Sequence, residues 1–230
     1  GLERAEAALH RVRAEVTGTV RVAVFQTAIL AIMPPALRRL RADYPALRVE
    51  VVQYEPGAAL RETWARGFDL VVAEQYPGHS AVHFPGLDRQ PLARDSITLG
   101  IPPLGSGDVR FDRVRQLSDA AELPWVMEPI GAATRHWAEQ ACRTAGFEPD
   151  IRFETADLQA HLRVVESGNA VALLPGLVHV GASARLRLLA LPGDPQRTIF
   201  TAARVSRRSH PALAAVREAL AAEAAELRFA

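Results

Sequence analysis

The sequence of 230 residues contains a single cysteine, Cys142. One cysteine cannot close an intramolecular disulfide, which excludes a secreted disulfide framework and a two-cysteine redox switch. Free cysteines are most often small buried side chains, so we expect Cys142 to pack in the core from a helix rather than to act as a reactive thiol.

Long apolar runs are also missing. No stretch approaches the ~18 apolar residues that a membrane-spanning helix needs. The first residues, Gly1 to Arg4, lack the basic-then-apolar layout of a signal peptide, and the chain does not start with methionine. We therefore expect a cytoplasmic protein with no membrane partner, present here as a fragment or a processed chain.

The sequence also has no excess of positive or of negative charge. The 27 basic residues are scattered among 26 acidic ones, giving a formal net charge of +1. No basic tract is long enough to hold a phosphate backbone, so this chain alone is not expected to bind nucleic acid. Hydrophobic residues at 49% and charged residues at 23% fit a folded globular protein of one or two domains.

Catalytic motifs were sought and not found. The sequence has no Gly-x-Ser-x-Gly elbow, no phosphate loop, no dinucleotide glycine fingerprint and no His-Glu-x-x-His. His79 and His83 are four residues apart, but they lie in a segment rich in proline and glycine without a third ligand nearby. We predict that the chain is not an enzyme and that it uses no cofactor and no metal.

Strand and helix patterns alternate along the whole chain. Short apolar runs rich in β-branched residues, typical of strands in a sheet covered on both faces, are separated by amphipathic segments. They lie at residues 20–24, 49–52, 69–73, 96–101, 124–127, 151–153, 171–175, 186–191 and 198–205. This order predicts parallel sheets with right-handed crossovers.

The alternation occurs twice, which predicts an α/β protein of two Rossmann-like lobes with a central cleft. We expect residues 18–95 together with 203–230 to form lobe I and residues 96–202 to form lobe II. Before them, residues 1–16 carry one thin apolar stripe typical of a helix that needs a partner.

Ligands of open parallel sheets bind beyond the carboxyl ends of the strands, where the chain turns into helices. The N-termini of those helices present unpaired backbone N–H groups. The turns supply the candidate site residues Phe25, Gln26, Thr27, Glu55, Glu74, Glu128, Thr134 and Thr155. For the three threonines, capping of the following helix is an equally good interpretation.

Several segments in fixed order resemble the effector-binding domain of LysR-type transcriptional regulators. They are Thr17–Val24, Thr27, Met33–Leu37, Asp43–Leu47, Gly67–Val72, Gln90–Leu92, Ala145–Pro149, Glu154–Asp157 and Val164–Pro175. The resemblance implies a fold like that of periplasmic binding proteins, with a small-molecule effector between the lobes. It implies that residues 1–17 end a linker helix, that the protein is a homodimer or higher homo-oligomer, and that DNA is bound only through an N-terminal domain absent from this chain.

Two departures from the family pattern bear on the ligand. Phe25 stands where the family often has a small hydroxylated residue, which removes a polar contact and adds an aromatic wall. Acidic residues are common in the turns (Glu55, Glu74, Glu128 and Glu154), with Arg135 as the nearest cation. A neutral or cationic effector is therefore at least as plausible as a carboxylate, unless these glutamates face solvent or pair with arginine.

Two other functions fit the predicted fold. A solute-binding protein of a transport system would share it but would have no use for a dimerising linker helix. An enzyme on the same scaffold is not excluded by the fold alone, although no catalytic set supports it.

Overall fold

A computed structural model describes residues 1–227 and divides the chain into two compact units. Unit 1 contains residues 1–74, 81–93 and 198–227. Unit 2 contains residues 75–80 and 94–197. The predicted α/β class with two lobes is confirmed, while the central cleft stays a prediction.

The elements follow the predicted alternation. The helices are α1 (Leu2–Ala14), α2 (Gln26–Ala31), α3 (Met33–Asp43), α4 (Pro56–Trp64), α5 (Val109–Asp112), α6 (Ala133–Thr144), α7 (Leu158–Glu166) and α8 (Pro211–Glu226). The strands are β1 (Gly18–Val24), β2 (Leu47–Gln53), β3 (Leu70–Gln75), β4 (Leu87–Ile101), β5 (Pro124–Met127), β6 (Asp150–Glu154), β7 (Ala172–Pro175), β8 (Arg187–Ala190) and β9 (Gln196–Arg204).

Unit 1 is built on a sheet with the strand order β2-β1-β3-β9-β4. β1 pairs in parallel with β2 and with β3, so α2, α3 and α4 are crossover connections. The inward side chains of β1, β3 and β9 are almost wholly apolar, and the helices cover them. α8 packs against α3 and β1 and completes this unit.

An ion pair fastens α8 to the first part of β4. Both guanidinium nitrogens of Arg217 donate to the carboxylate of Asp88, at 2.9 and 2.7 Å. The same carboxylate accepts from the backbone N–H of Ala203, at 3.1 Å. Burial favours the protonated form of Asp88, but the bonds to Arg217 and Ala203 outweigh it and lower the pKa of this carboxyl.

Unit 2 contains a second set of strands. The C-terminal part of β4 pairs antiparallel with β7 and β8. β5 and β6 form a parallel pair, and an isolated bridge joins Trp125 to Val171, just before β7. A core around the fully buried Trp125 packs these strands against α6.

A buried ion pair lies where the chain enters and leaves unit 2. Arg197 donates to Asp95 through Nε at 2.8 Å and through Nη2 at 2.6 Å. The carboxylate of Asp95 also accepts from the backbone N–H of Leu177, at 3.1 Å. Both charged side chains are at least 99% buried. Asp95 and Arg197 lie on β4 and β9, at the second and the last residue of the 94–197 segment.

The unit boundaries differ from the predicted lobe boundaries. Residues 198–202 belong to unit 1, because Phe200 and Ala202 pack in the same core as Ala23 and Val71. Residues 75–80 belong to unit 2, although the chain on both sides of them belongs to unit 1. α1 is part of unit 1 and contacts α3.

Several local predictions need correction. Thr27 and Thr134 lie inside the first turns of α2 and α6, whose N-caps are Phe25 and Ala132, so neither threonine is a helix cap. The cap of α7 is Asp157, which accepts from the N–H of Gln159. Thr155 instead accepts from the N–H of Asp157, in the turn before α7.

Two element ends were also misplaced. The sequence favours Gly67 as the residue that ends α4, because glycine readily adopts positive φ. The residue with positive φ after α4 is instead Arg66 (72°). β4 begins at Leu87, nine residues before the predicted strand, and runs through Pro91. Pro91 is tolerated because the pairings of β7 and β8 with β4 involve only residues 97–101, which leaves one side of β4 open at Pro91.

Cys142 is buried on α6, as expected. Burial, together with nearby Glu148 and Glu139, raises the pKa of its thiol to about 12, which keeps it protonated and unreactive. Among the helices of residues 1–227, none combines the length and the apolar character needed to cross a membrane.

Candidate functional site

In unit 1 the predicted site residues share one edge of the sheet. Val24, the last residue of β1, is paired with Gln53 of β2 and with Val72 of β3. Each strand therefore reaches the same edge within a few residues, and the next residues turn away from the sheet. This edge carries five of the predicted residues: Phe25, Gln26, Thr27, Glu55 and Glu74.

Their side chains are not equally available to a ligand. Thr27 is fully buried in α2, and Phe25 is 5% exposed. The carboxylate of Glu55 caps α4 by accepting from the N–H of Ala58 at 3.0 Å. Gln26 and Glu74 are partly exposed. This edge thus offers a wall with few accessible polar groups.

The second edge lies in unit 2, at the carboxyl ends of β5 and β6. Met127 is paired with Glu154, and the N–H of Thr155 donates to the carbonyl of Met127 at 3.1 Å. Glu128 and Thr155 follow directly. The first turn of α6, which holds Thr134, comes a few residues later.

A cavity of about 30 Å³ opens beside this edge, and all of its lining residues belong to unit 2. Two of the predicted residues, Glu128 and Thr134, line it. Most of the wall is apolar or aromatic. The other lining residues are Tyr76, Ile97, Val126, Met127, Arg135, Trp137, Ala138, Leu158, His161, Leu173 and Pro175.

His161 is the most deeply buried polar residue of this wall, with 2% of its surface exposed. Its Nε2 lies 2.8 Å from the carbonyl oxygen of Thr155. A carbonyl only accepts, so Nε2 carries the proton of the neutral ring. Burial lowers the pKa of His161, although the bond to Thr155 and the nearby Asp157 oppose the shift, and the ring is neutral at pH 7. Nδ1 is therefore an acceptor.

Nδ1 of His161 and Oγ1 of Thr134, both buried in the cavity wall, lack hydrogen-bond partners within the described residues. Buried polar groups in native proteins are almost always hydrogen-bonded, because burying one without a partner costs about 1–3 kcal/mol. The wall also contains the buried hydroxyl of Tyr76. The cavity wall thus presents one acceptor, at His161, and two hydroxyls, at Thr134 and Tyr76, to whatever enters.

Arg135 is the cation of this wall, and its charge is already compensated. Its Nε donates to Glu139 at 2.5 Å and its Nη1 to Glu154 at 3.1 Å. Nη1 also donates to the carbonyl of Glu128 at 2.9 Å. With 8% of its surface exposed, Arg135 is held between two carboxylates and one carbonyl.

The segment 75–80 reaches this cavity from outside the 94–197 stretch. An isolated bridge between Tyr76 and His79 folds it into a tight turn. Tyr76 packs against Trp137 with ring centroids 5.9 Å apart, and His79 packs against His136 at 4.3 Å; both ring pairs are tilted. Two ring contacts with α6 therefore hold the turn against the cavity wall.

The structure thus places the predicted residues in two groups, five at the edge of unit 1 and three at that of unit 2. Sequence reasoning missed His161, Tyr76 and Trp137. One signal for His161 was present: it lies on the apolar stripe of α7 with Leu158, Leu162 and Val165. A histidine at such a position has to find polar partners inside the core.

Known proteins similar to this chain were compared with it. The family model described as LysR substrate binding domain matches residues 13–225. The HTH-type transcriptional activator IlvY of Salmonella typhimurium is 26% identical over 189 residues, covering 80% of this chain and 61% of that protein. The chain spans roughly half to three fifths of the length of the curated relatives that it matches.

Solved structures show the same fold. The regulatory domain of MexT, a transcriptional activator in Pseudomonas aeruginosa, aligns with a TM-score of 0.72 at 15% identity, covering 91% of this chain and all of that chain. The BenM effector-binding domain with its effector benzoate aligns with a TM-score of 0.70 at 17% identity, covering 88% and 90%.

Two conclusions follow from the match over residues 13–225 and from these folds. The chain has the fold of a ligand-sensing regulatory domain, of the type related to periplasmic binding proteins. It belongs to the LysR substrate-binding domain family. An effector-binding domain of a LysR-type transcriptional regulator is therefore favoured over a solute-binding protein of a transport system.

Proposed function

We propose that this chain is the sensor of a DNA-binding transcription factor and that its effector binds at the unit 2 edge, in the cavity between α6 and α7. The observation that carries this proposal is the pair of unsatisfied polar atoms on Thr134 and His161 in a mostly apolar and aromatic wall. Ligand pockets typically combine apolar walls with a few convergent polar groups.

The edge of unit 1 supplies a second set of candidate contacts. Gln26 and Glu74 have accessible surface there, while Phe25 contributes an apolar wall. An effector shifts a sensor toward the conformation in which it makes more contacts.

The role of the rest of the protein is part of the same proposal. DNA would be bound by a domain outside this chain, since the matched part covers only 50–61% of the curated relatives. We infer that the domain works in the cytoplasm and that it senses its ligand without transforming it.

Self-association is expected to involve α1. Leu2, Leu9 and Val12 lie on one stripe of this helix and expose 80%, 52% and 60% of their surfaces. α1 is held to α3 by Arg13, whose Nη1 lies 3.3 Å from a carboxylate oxygen of Asp43. An apolar stripe left open on a helix fits a second copy of the same helix. We therefore propose a homodimer.

A thermal-shift screen of this chain tests the sensor proposal. A ligand at about 100 times its dissociation constant stabilises the folded state by about 2.7 kcal/mol, which is easily measured. Hits are then titrated against the wild-type chain and against Thr134→Val, which removes the hydroxyl and keeps the shape.

A matched control is Thr98→Val, because Thr98 Oγ1 is also buried without a partner but does not line the cavity. The proposal expects weaker binding for Thr134→Val and unchanged binding for Thr98→Val. Hits that bind both variants as they bind the wild type would place the effector elsewhere.

A further inference from the structure

We propose that the effector enters the unit 2 cavity with an uncharged head group that both donates and accepts hydrogen bonds, such as a primary amide or a hydroxyl, and not with a carboxylate. This inference rests on the proposed function, because it specifies the ligand of the same cavity. It follows from the protonation state of His161, from the charge around Arg135 and from the size of the cavity.

The first step concerns His161. Its Nε2–H is used by the carbonyl of Thr155, so Nδ1 presents a lone pair to the cavity. A lone pair is satisfied by an N–H or O–H donor of the ligand. A carboxylate would instead place a negatively charged acceptor beside this lone pair, in a buried setting where repulsion is poorly screened.

The second step concerns Thr134. Its hydroxyl can donate to a carbonyl or hydroxyl oxygen of the ligand. A primary amide supplies both complements, an N–H for His161 and a carbonyl oxygen for Thr134. A hydroxyl group can donate to His161 and accept from Thr134 through the same oxygen atom. A group that only accepts would leave the His161 nitrogen unsatisfied, and a group that only donates would leave the Thr134 proton unsatisfied.

The third step excludes Arg135 as the partner of an anionic effector. Its guanidinium is held by Glu139 at 2.5 Å and Glu154 at 3.1 Å. A carboxylate ligand would have to displace one of them or add a third negative charge. Glu128, also in the wall, would further oppose a second negative charge.

The fourth step uses the volume. A cavity of about 30 Å³ has room for one or two groups of the size of water. Only the head group of an effector therefore enters, while the apolar body rests against the aromatic wall. The tilted rings of Trp137 and Tyr76 are the aromatic part of that wall.

Three isosteric probes separate the possibilities: benzamide, acetophenone and benzoate. They share one ring and one carbonyl, and they differ only in an amide nitrogen, a methyl group or a negatively charged oxygen. Each is titrated at pH 8 into the ¹⁵N-labelled chain, and the amide signals of the first turn of α6 and of α7 report binding to the cavity.

The proposal expects benzamide to bind about tenfold more tightly than acetophenone or benzoate, as one additional satisfied buried hydrogen bond would produce. In a His161→Leu variant the three probes should bind alike. The control is His179→Leu, because Nε2 of His179 is also buried without a partner but His179 does not line the cavity, so the preference should persist there.

Each other outcome contradicts a different statement. If benzoate or acetophenone binds to the wild-type cavity as tightly as benzamide, the head-group inference is wrong while the sensor proposal stands. If none of the probes shifts the signals of α6 and α7 up to its solubility limit, the cavity is not a ligand site and the sensor proposal loses its main support. These readings use the wild-type chain, so they hold even if a variant fails to fold.

Discussion

The buried pair Asp95–Arg197 allows a sharp test of the energetics of unit 2. The substitution Asp95→Asn keeps the shape of the side chain and removes its charge. Arg197, with 1% of its surface exposed, would then remain as a buried cation without its partner carboxylate. Asparagine can still accept from the N–H of Leu177 through its amide oxygen, so the effect isolates the ion pair.

The expected magnitude follows from the geometry. Two guanidinium nitrogens lie within 2.8 Å of the same carboxylate oxygen, and both side chains are inaccessible to water. Breaking a buried pair of this kind by removing one partner costs about 3–5 kcal/mol. For a chain of this length that corresponds to a fall in Tm of roughly 6–20 °C.

The assay is urea unfolding followed by near-UV circular dichroism, because the fully buried Trp125 reports on the packing of unit 2. The matched control is Arg48→Met, which breaks the exposed pair Arg48–Glu50 and should cost about 0–1 kcal/mol. If Asp95→Asn lowers the free energy of unfolding by less than 1 kcal/mol, the reasoning is refuted, because the charge of Arg197 would then be compensated without Asp95.

Three further predictions concern pH, backbone conformation and assembly. Burial lowers the pKa of His161 and of His179 below 6.5, so the unfolded chain binds more protons than the folded chain below that pH. The free energy of unfolding should therefore be highest above about pH 6.5 and should fall as the pH drops through the folded pKa values. Measuring Tm from pH 7.5 to 5 tests this. Gly168→Ala should lower the free energy of unfolding, measured by chemical unfolding, far more than Gly146→Ala. Both glycines have positive φ, which alone costs about 1–2 kcal/mol for alanine. A Cβ at Gly168 would in addition lie 2.1 Å from a backbone oxygen, whereas one at Gly146 meets nothing within 4 Å. The chain should have the mass of a dimer in light scattering at high micromolar concentration, and Leu9→Glu should make it monomeric; a monomer mass for the wild type would contradict the role given to α1.

Much of the fold was predictable because local patterns agree with the global architecture. The apolar strands β1, β3 and β7 were recognisable by their continuous apolar runs. Pro34 and Pro35 marked the first turn of α3, and Gly146, with φ of 94°, marked the end of α6. The position of the strand ends then followed, since parallel strands joined by helices end at a common edge.

What the sequence concealed was decided by tertiary neighbours. The long strand β4 begins inside a stretch rich in proline and glycine, and its pairing with β9 makes it extended there. The turn 75–80 has no pattern of its own and is fixed by ring contacts with Trp137 and His136. Both depend on residues far along the chain, which local propensity cannot convey.

The same reasoning explains the incomplete prediction of the site. Residues at strand ends were predictable from topology, but which of them are accessible depends on packing. Thr27 and Phe25 are buried by their own helix and its neighbours, whereas Gln26 between them is not. His161 comes to the cavity from the middle of α7 rather than from a strand end, so the rule about strand ends could not identify it.

The discontinuity of unit 1 has a consequence for synthesis on the ribosome. β9 lies between β3 and β4, and α8 covers α3 and β1, yet both come from the chain after residue 195. The residues of unit 1 that are made first must therefore wait, with β3 unpaired on one side, until nearly the whole chain has emerged. Unit 2 is almost continuous from residue 94 to 197, so it can complete its core earlier. We therefore expect unit 2 to fold before unit 1, the reverse of the usual order in which the N-terminal domain folds first. Until then β3 would leave apolar surface exposed to aggregation.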